Sequence, residues 1–77
     1  MNQARRGLLR KAAENLNAAS VLVSRALDEE EDCLGNLPDS LQDSERYEKM
    51  ENAVDALNDA SASIDTAIEK INEAAAR

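Results

Sequence analysis

Residues 47–75 read YEKMENAVDALNDASASIDTAIEKINEAA, with one side of a helix falling at alternating spacings of three and four: Tyr47, Met50, Val54, Leu57, Ser61, Ile64, Ile68, Ile71 and Ala75. Only Ser61 interrupts the apolar run, and a seam sustained over four heptads marks a helix packed along its whole length. With Tyr47 as heptad position a, the d positions are Met50, Leu57, Ile64 and Ile71, and the g positions are Ala53, Ala60, Ala67 and Ala74. Alanine at every seventh residue widens the seam into a face that another backbone can approach closely. Such a face suits a bundle of three or four helices better than a narrow two-stranded coil.

Upstream, a looser stripe of the same kind appears. Leu9, Leu16 and Val23 recur every seven residues, flanked by Ala12, Ala19 and Ala26 and by Ala13, Ser20 and Leu27. Large and small side chains alternate, which allows two faces to interdigitate. The stripe ends at Asp28-Glu29-Glu30-Glu31-Asp32, where Glu30 takes the place that Leu9, Leu16 and Val23 held.

Between the two stripes, Gly35 is expected as a left-handed helix cap and Pro38 cannot continue a helix. Asn36, Asp39, Ser40 and Ser44 can each cap the second helix, with Asp43 three residues beyond Ser40. The expected fold is all-α: one antiparallel two-helix hairpin over residues 1–77, with helices at about 3–33 and 43–76 and a turn at about 34–42. So short a connection forces the helices antiparallel, and facing residues have numbers summing to about 78. Val23 then lies near Val54, Leu27 near Met50, Ala19 near Leu57 and Leu9 near Ile68. One helix covers only one flank of another. The self-association face is therefore expected to comprise Leu9, Leu16, Val23, Leu27, Tyr47, Met50, Val54, Leu57, Ile64, Ile68 and Ile71, and to be completed by a second copy as a homodimeric four-helix bundle.

Composition points the same way. The 77 residues include fourteen Ala, two Gly, one Pro, one Tyr and neither Phe nor Trp, a vocabulary for long helices and against strands. The net charge is −7, which opposes direct binding to nucleic acid or anionic membranes. Residues 25–51 hold ten acids and three bases, hence all of that −7, while the remainder holds six of each. In a hairpin these acids gather around the turn. Asp28, Glu29, Glu30, Glu31, Asp32, Asp39, Asp43, Glu45 and Glu48 form a candidate acidic tip for a basic protein partner. The ordinary alternative is a solvated helix end that keeps a small protein soluble. Asp39, Asp43 and Glu45 suit the start of a helix; the acids at 28–32 oppose the dipole of the helix they end.

Catalytic chemistry has little to draw on. The chain has no His, so neither a neutral-pH proton shuttle nor the common nucleophile–base pairs can form. Cys33 has acids for neighbours, which work against a reactive thiolate, and is expected instead as a small apolar residue closing the core near the turn. No glycine-rich phosphate loop, Cys/His metal spacing or EF-hand alternation is present. An enzyme, a cofactor and a metal site are thus not expected. The basic start (Arg5, Arg6, Arg10, Lys11) resembles a transit peptide in charge alone; its stripe continues into the helix, so it is read as part of the fold. A single cysteine and no apolar run of ~20 residues lead to a cytoplasmic expectation.

The stretch Leu37-Pro38-Asp39-Ser40-Leu41-Gln42-Asp43-Ser44-Glu45-Arg46-Tyr47-Glu48-Lys49-Met50 resembles a segment of small, uncharacterised acidic proteins of bacterial phages and mobile elements. In these a Leu-Pro turn leads into Ser-Glu-Arg-Tyr-Glu and then an Ala-, Ile- and Glu-rich helix. The resemblance covers about the second half of the chain and implies a phage-type accessory protein, inhibitors of host defence included. Leu34-Gly35 at the turn is also similar to secreted hairpins of the Trp-x-Gly type, although this chain has no tryptophan. Two functions are therefore expected as alternatives. One is a self-associating interaction module. The other is an inhibitor of the anti-CRISPR kind, whose carboxylates stand where a nucleic-acid enzyme expects phosphates.

Overall fold

The computed structural model describes residues 1–41 and 44–77. The protein is an all-helical hairpin in which α1 spans Gln3–Gly35, a 3₁₀ turn spans Asp39–Leu41, and α2 spans Glu45–Ala75; no strand occurs among the described residues. The amino group of Met1 lies 3.5 Å from the carbonyl oxygen of Arg77, so the chain ends meet and the helices run antiparallel. At this open end the residues side by side, 1 and 77, sum to 78.

Local chemistry sets where each helix begins and stops. Asn2 sits in extended backbone, and its side-chain oxygen accepts from the Arg5 N–H at 2.8 Å, satisfying one donor that the first turn leaves open. Gly35, expected as a left-handed cap, instead remains helical, and no glycine among the described residues has positive φ. Asn36 ends the helix at φ −96° and ψ 1°, its N–H reaching both Asp32 O and Leu34 O. The Leu37 N–H then donates to Leu34 O at 3.3 Å, a bond between residues three apart that tightens the last turn towards 3₁₀ geometry and satisfies a terminal carbonyl without a left-handed residue.

Of the four candidate caps for the second helix, Ser44 takes the role. Its Oγ accepts from the Tyr47 N–H at 3.2 Å and donates to Leu41 O at 2.5 Å, tying the 3₁₀ turn to the helix start. Glu45 and Glu48 lie in the first turn, where the dipole favours negative charge. Asp43 lies outside the described residues.

The two helices pack into a rod of 59 × 14 × 13 Å with a radius of gyration of 17.4 Å. A compact chain of this length would have a radius near 11–12 Å. The accessible surface is 5710 Å², about 1,100 Å² beyond what a compact monomer of this mass exposes. Among the described residues only Ala13, 8% exposed, is buried. The rest of the seam is half-buried. In α2 the half-buried residues are the a, d and g positions from Tyr47 to Ala75, and every other position is exposed. Among the described residues the surface ion pairs Lys49–Glu45, Lys70–Glu73 and Arg77–Glu73 are local to α2 and its end and do not link the helices. Apolar contact, not charge, holds the hairpin together.

Ser44→Ala is expected to cost about 1 kcal/mol of stability and Ser44→Gly only a few tenths, read from chemical denaturation followed by circular dichroism. Ser40→Ala, which removes a hydroxyl that caps nothing, should leave the midpoint unchanged. An equal loss at Ser40 and Ser44 would mean the cap is misplaced.

Candidate functional site

Two features of the rod stand out: an apolar seam open along its length and an acidic end. Leu9, Leu16, Val23 and Leu27 on α1 and Tyr47, Met50, Val54, Leu57, Ile64, Ile68 and Ile71 on α2 are all half-buried. Each residue of the expected self-association face is thus partly covered, and none of them fully.

Which side of the seam stays open follows from heptad geometry. In α1 the buried Ala13 and the half-buried Ser20 and Leu27 hold position a, half-buried Leu9, Leu16 and Val23 hold d, and half-buried Ala12 and Ala19 hold g. In an antiparallel pair the g positions of both helices flank one long side and the e positions the other, because reversing a helix mirrors the order of its positions. One side is therefore lined by Ala12, Ala19, Ala53, Ala60, Ala67 and Ala74, all half-buried. The opposite side carries exposed Arg10, Asn17 and Ser24 of α1 with Glu51, Asn58, Asp65 and Asn72 of α2. An open cleft of about 370 Å³ confirms the grouping, since Arg10, Asn17 and Asn72 line it together.

That cleft lies near the open end, and Arg6, Leu9, Ala13, Glu14, Ile71 and Ala75 complete its wall. Arg6 occupies an a position and is half-buried, and its Nε finds no hydrogen-bond partner. The lining holds one carboxylate and no nucleophilic side chain, so what it offers a ligand is two guanidinium groups and a short apolar floor. No group of three or more His, Cys, Asp or Glu among the described residues is placed to hold a metal ion.

At the other end, Asp28, Glu29, Glu31, Asp32, Asp39, Glu45 and Glu48 are exposed, while Glu30 turns inward and is half-buried. Successive residues of a helix are turned 100° apart, so five consecutive carboxylates form a collar around the rod and not a single charged face. Glu45 pairs with Lys49 at 3.4 Å across exposed side chains, a contact of small energetic weight. Asp28, Glu29, Glu31, Asp32 and Glu48 make no ion pair among the described residues.

Cys33 does not close the core as expected; it is exposed. A straight helix turns by roughly 20° per heptad relative to a strict seven-residue line. By Ala26 and Cys33 the g flank of α1 has left the partner helix, and both residues face solvent. Leu34 and Leu37 are half-buried there and close the turn end in its place.

Periodicity alone also passed over Leu8, Val21 and Leu22, which lie outside the stripe and are 71%, 60% and 63% exposed. Leu8 and Leu22, two heptads apart, share position c and border the alanine side; Val21, at position b, borders the polar side. The spacing of fourteen between two leucines was legible as a signal. It carries meaning only once the alanines beside it are known to be on one side of the rod.

No family model, curated protein or solved structure matches this chain. No helix among the described residues is long and apolar enough to cross a membrane.

Ile64→Asp is expected to dissociate or unfold the protein, because it puts a charge in the middle of the seam. Thr66→Asp, two residues along on the exposed side, should stay within about 0.5 kcal/mol of the parent. Circular dichroism with sedimentation velocity reads both; an Ile64→Asp protein with parental helicity and mass would mean the seam is misassigned.

Proposed function

We propose that this chain is a small acidic interaction module that acts by binding and not by catalysis. It completes its core with a second copy, as a homodimeric four-helix bundle, and offers its acidic end to a basic protein partner. The observation that carries this is the burial pattern: Ala13 alone is buried among the described residues, with a half-covered apolar seam running the length of a 59 Å rod. A chain of this size depends on buried apolar area for its stability, and one helix cannot supply enough of it to another. The resemblance of residues 37–50 to small acidic phage proteins accords with an accessory role in the bacterial cytoplasm.

Sedimentation velocity and light scattering across a wide concentration range test the assembly. The expected species has twice the mass of the 8.4 kDa chain, with a thermal midpoint that rises with concentration. A single-copy species whose midpoint is independent of concentration would overturn the proposal.

A second reading is favoured by the unpaired carboxylates at the acidic end, Asp28, Glu29, Glu31, Asp32 and Glu48. They suit an inhibitor that mimics nucleic acid and occupies the phosphate track of a host-defence enzyme. Such an inhibitor competes with DNA or RNA and loses affinity steeply as salt rises. The triple reversal Glu29→Lys, Glu30→Lys and Glu31→Lys is expected to abolish competition against a basic nucleic-acid enzyme. Competition that survives both the reversal and high salt would exclude mimicry.

A further inference from the structure

The two long sides of the rod are unequal, and so are its two ends. On α1 the side bearing Ala12 and Ala19 also carries Leu8 and Leu22, exposed by 71% and 63%, more than any other large apolar side chain among the described residues. The charges of α1 run against its own dipole at both ends. Arg5, Arg6, Arg10 and Lys11 cluster at its start, where negative charge is favoured, and Asp28–Asp32 at its finish, where positive charge is favoured. Arg5, Arg10 and Lys11 are exposed, and none of them makes an ion pair among the described residues. Within one hairpin the acidic stretch that ends α1 and the bases that open it lie at opposite ends of a 59 Å rod and cannot offset each other.

We infer that the second copy docks on the alanine side with its turn at the opposite end, each α1 lying along its counterpart about a two-fold axis near Ala19. This rests on the self-association proposed above and adds to it the face and the direction. With the midpoints of the rods aligned, α1 residues whose numbers sum to 38 come level, because Gln3 and Gly35 bound the helix. Asp28 then lies level with Arg10 of the other copy, Asp32 with Arg6, and Ala12 with Ala26. In α2 the residue level with Ala19 is Asp59, from the sum of 78 at the open end, so level residues there sum to 118. That sets Glu48 level with Lys70. The end of α1 bearing Arg5, Arg6, Arg10 and Lys11 thus stands level with the acidic end of the other copy, twice over by symmetry; Asp28 and Arg10 themselves border the polar side, so the attraction is between the ends of the rods and not between paired side chains.

The opposite choice has the reverse effect. Copies docked with both turns at one end set two acidic stretches side by side, each carrying −7. Area is sufficient for the antiparallel arrangement: a side of 59 × 14 Å presents about 800 Å² per copy, the size of a standard stable interface. Leu8 and Leu22, unexplained in the single hairpin, fall on this contact. Glu29, at position c like Leu8 and Leu22, is at its rim, while Asp28 and Asp32 are turned away from it, so most of the acidic collar still faces outward for another partner.

The native, exposed Cys33 gives a direct test. The full chain carries a nitroxide label there, and the distance between the two labels of a dimer is read by pulsed dipolar spectroscopy alongside sedimentation. In the antiparallel dimer Cys33 is level with Arg5 of the other copy, so the two labels stand 28 residues of helix apart, about 42 Å by the helical rise. A dimer with labels within about 20 Å, the width of a bundle, would overturn the direction while leaving self-association intact. A labelled and unlabelled chain that are both single-copy would overturn the underlying proposal and this inference with it. For the face, Leu22→Arg is expected to weaken the dimer at least tenfold, and Val21→Arg, the adjacent residue bordering the polar side, less than twofold. Both side chains are mostly exposed in the single hairpin, so folding is not at stake. The reverse order of effects would mean the copies meet on the polar side.

Discussion

An α-helix packed against one neighbour has a single flank covered, and this constraint governs everything else in the molecule. The seam of α2 occupies three heptad positions, a, d and g, and that of α1 matches it over most of its length. Three positions span more of a helix's circumference than one partner can shield. The outcome is a rod whose seam residues are partly covered and, among the described residues, almost none enclosed. Small side chains let the backbones approach, but they add little buried area of their own. The single hairpin therefore leaves its seam half-covered, and the second copy proposed above supplies the missing contacts.

The charges follow a separate logic. Within one copy they are badly placed: bases open α1 and acids close it, against the dipole at both ends. The ion pairs that do form are short-range pairs in α2 and at its C-terminal end, on exposed side chains where such contacts contribute little. A sequence free to optimise a lone hairpin has no reason to sort its charges this way. Segregation into a negative end and a mildly basic end makes sense when the partner presents the opposite order. A second copy turned end for end does so without any further requirement.

A thin rod also limits what kinds of function fit. The cleft near its open end is shallow and lined by two arginines and a single carboxylate. Recognition by shape and charge along an extended face needs no enclosure, and the binding role proposed above draws on that. The same reasoning gives Cys33 no role in the core: it lies on solvent at the acidic end.

The heptad run from Tyr47 to Ala75 was decisive by itself, because a spacing of three and four has no other physical meaning than one side of a helix, and the half-buried positions of α2 coincide with it. The break around Pro38 and the segregation of charge were equally plain, since they depend only on local backbone chemistry and on counting. How α1 ends was not: whether Gly35 turns left-handed or Asn36 closes the helix by a shared bond depends on where the chain must go next. Nor could sequence tell which of four polar residues caps α2, a matter of which hydroxyl reaches both Leu41 O and the Tyr47 N–H. Above all, the antiparallel pairing decides that the alanines of both helices share one side while the asparagines and acids share the other. Periodicity fixes a residue's angle around its own helix, and only packing fixes which way two such angles face.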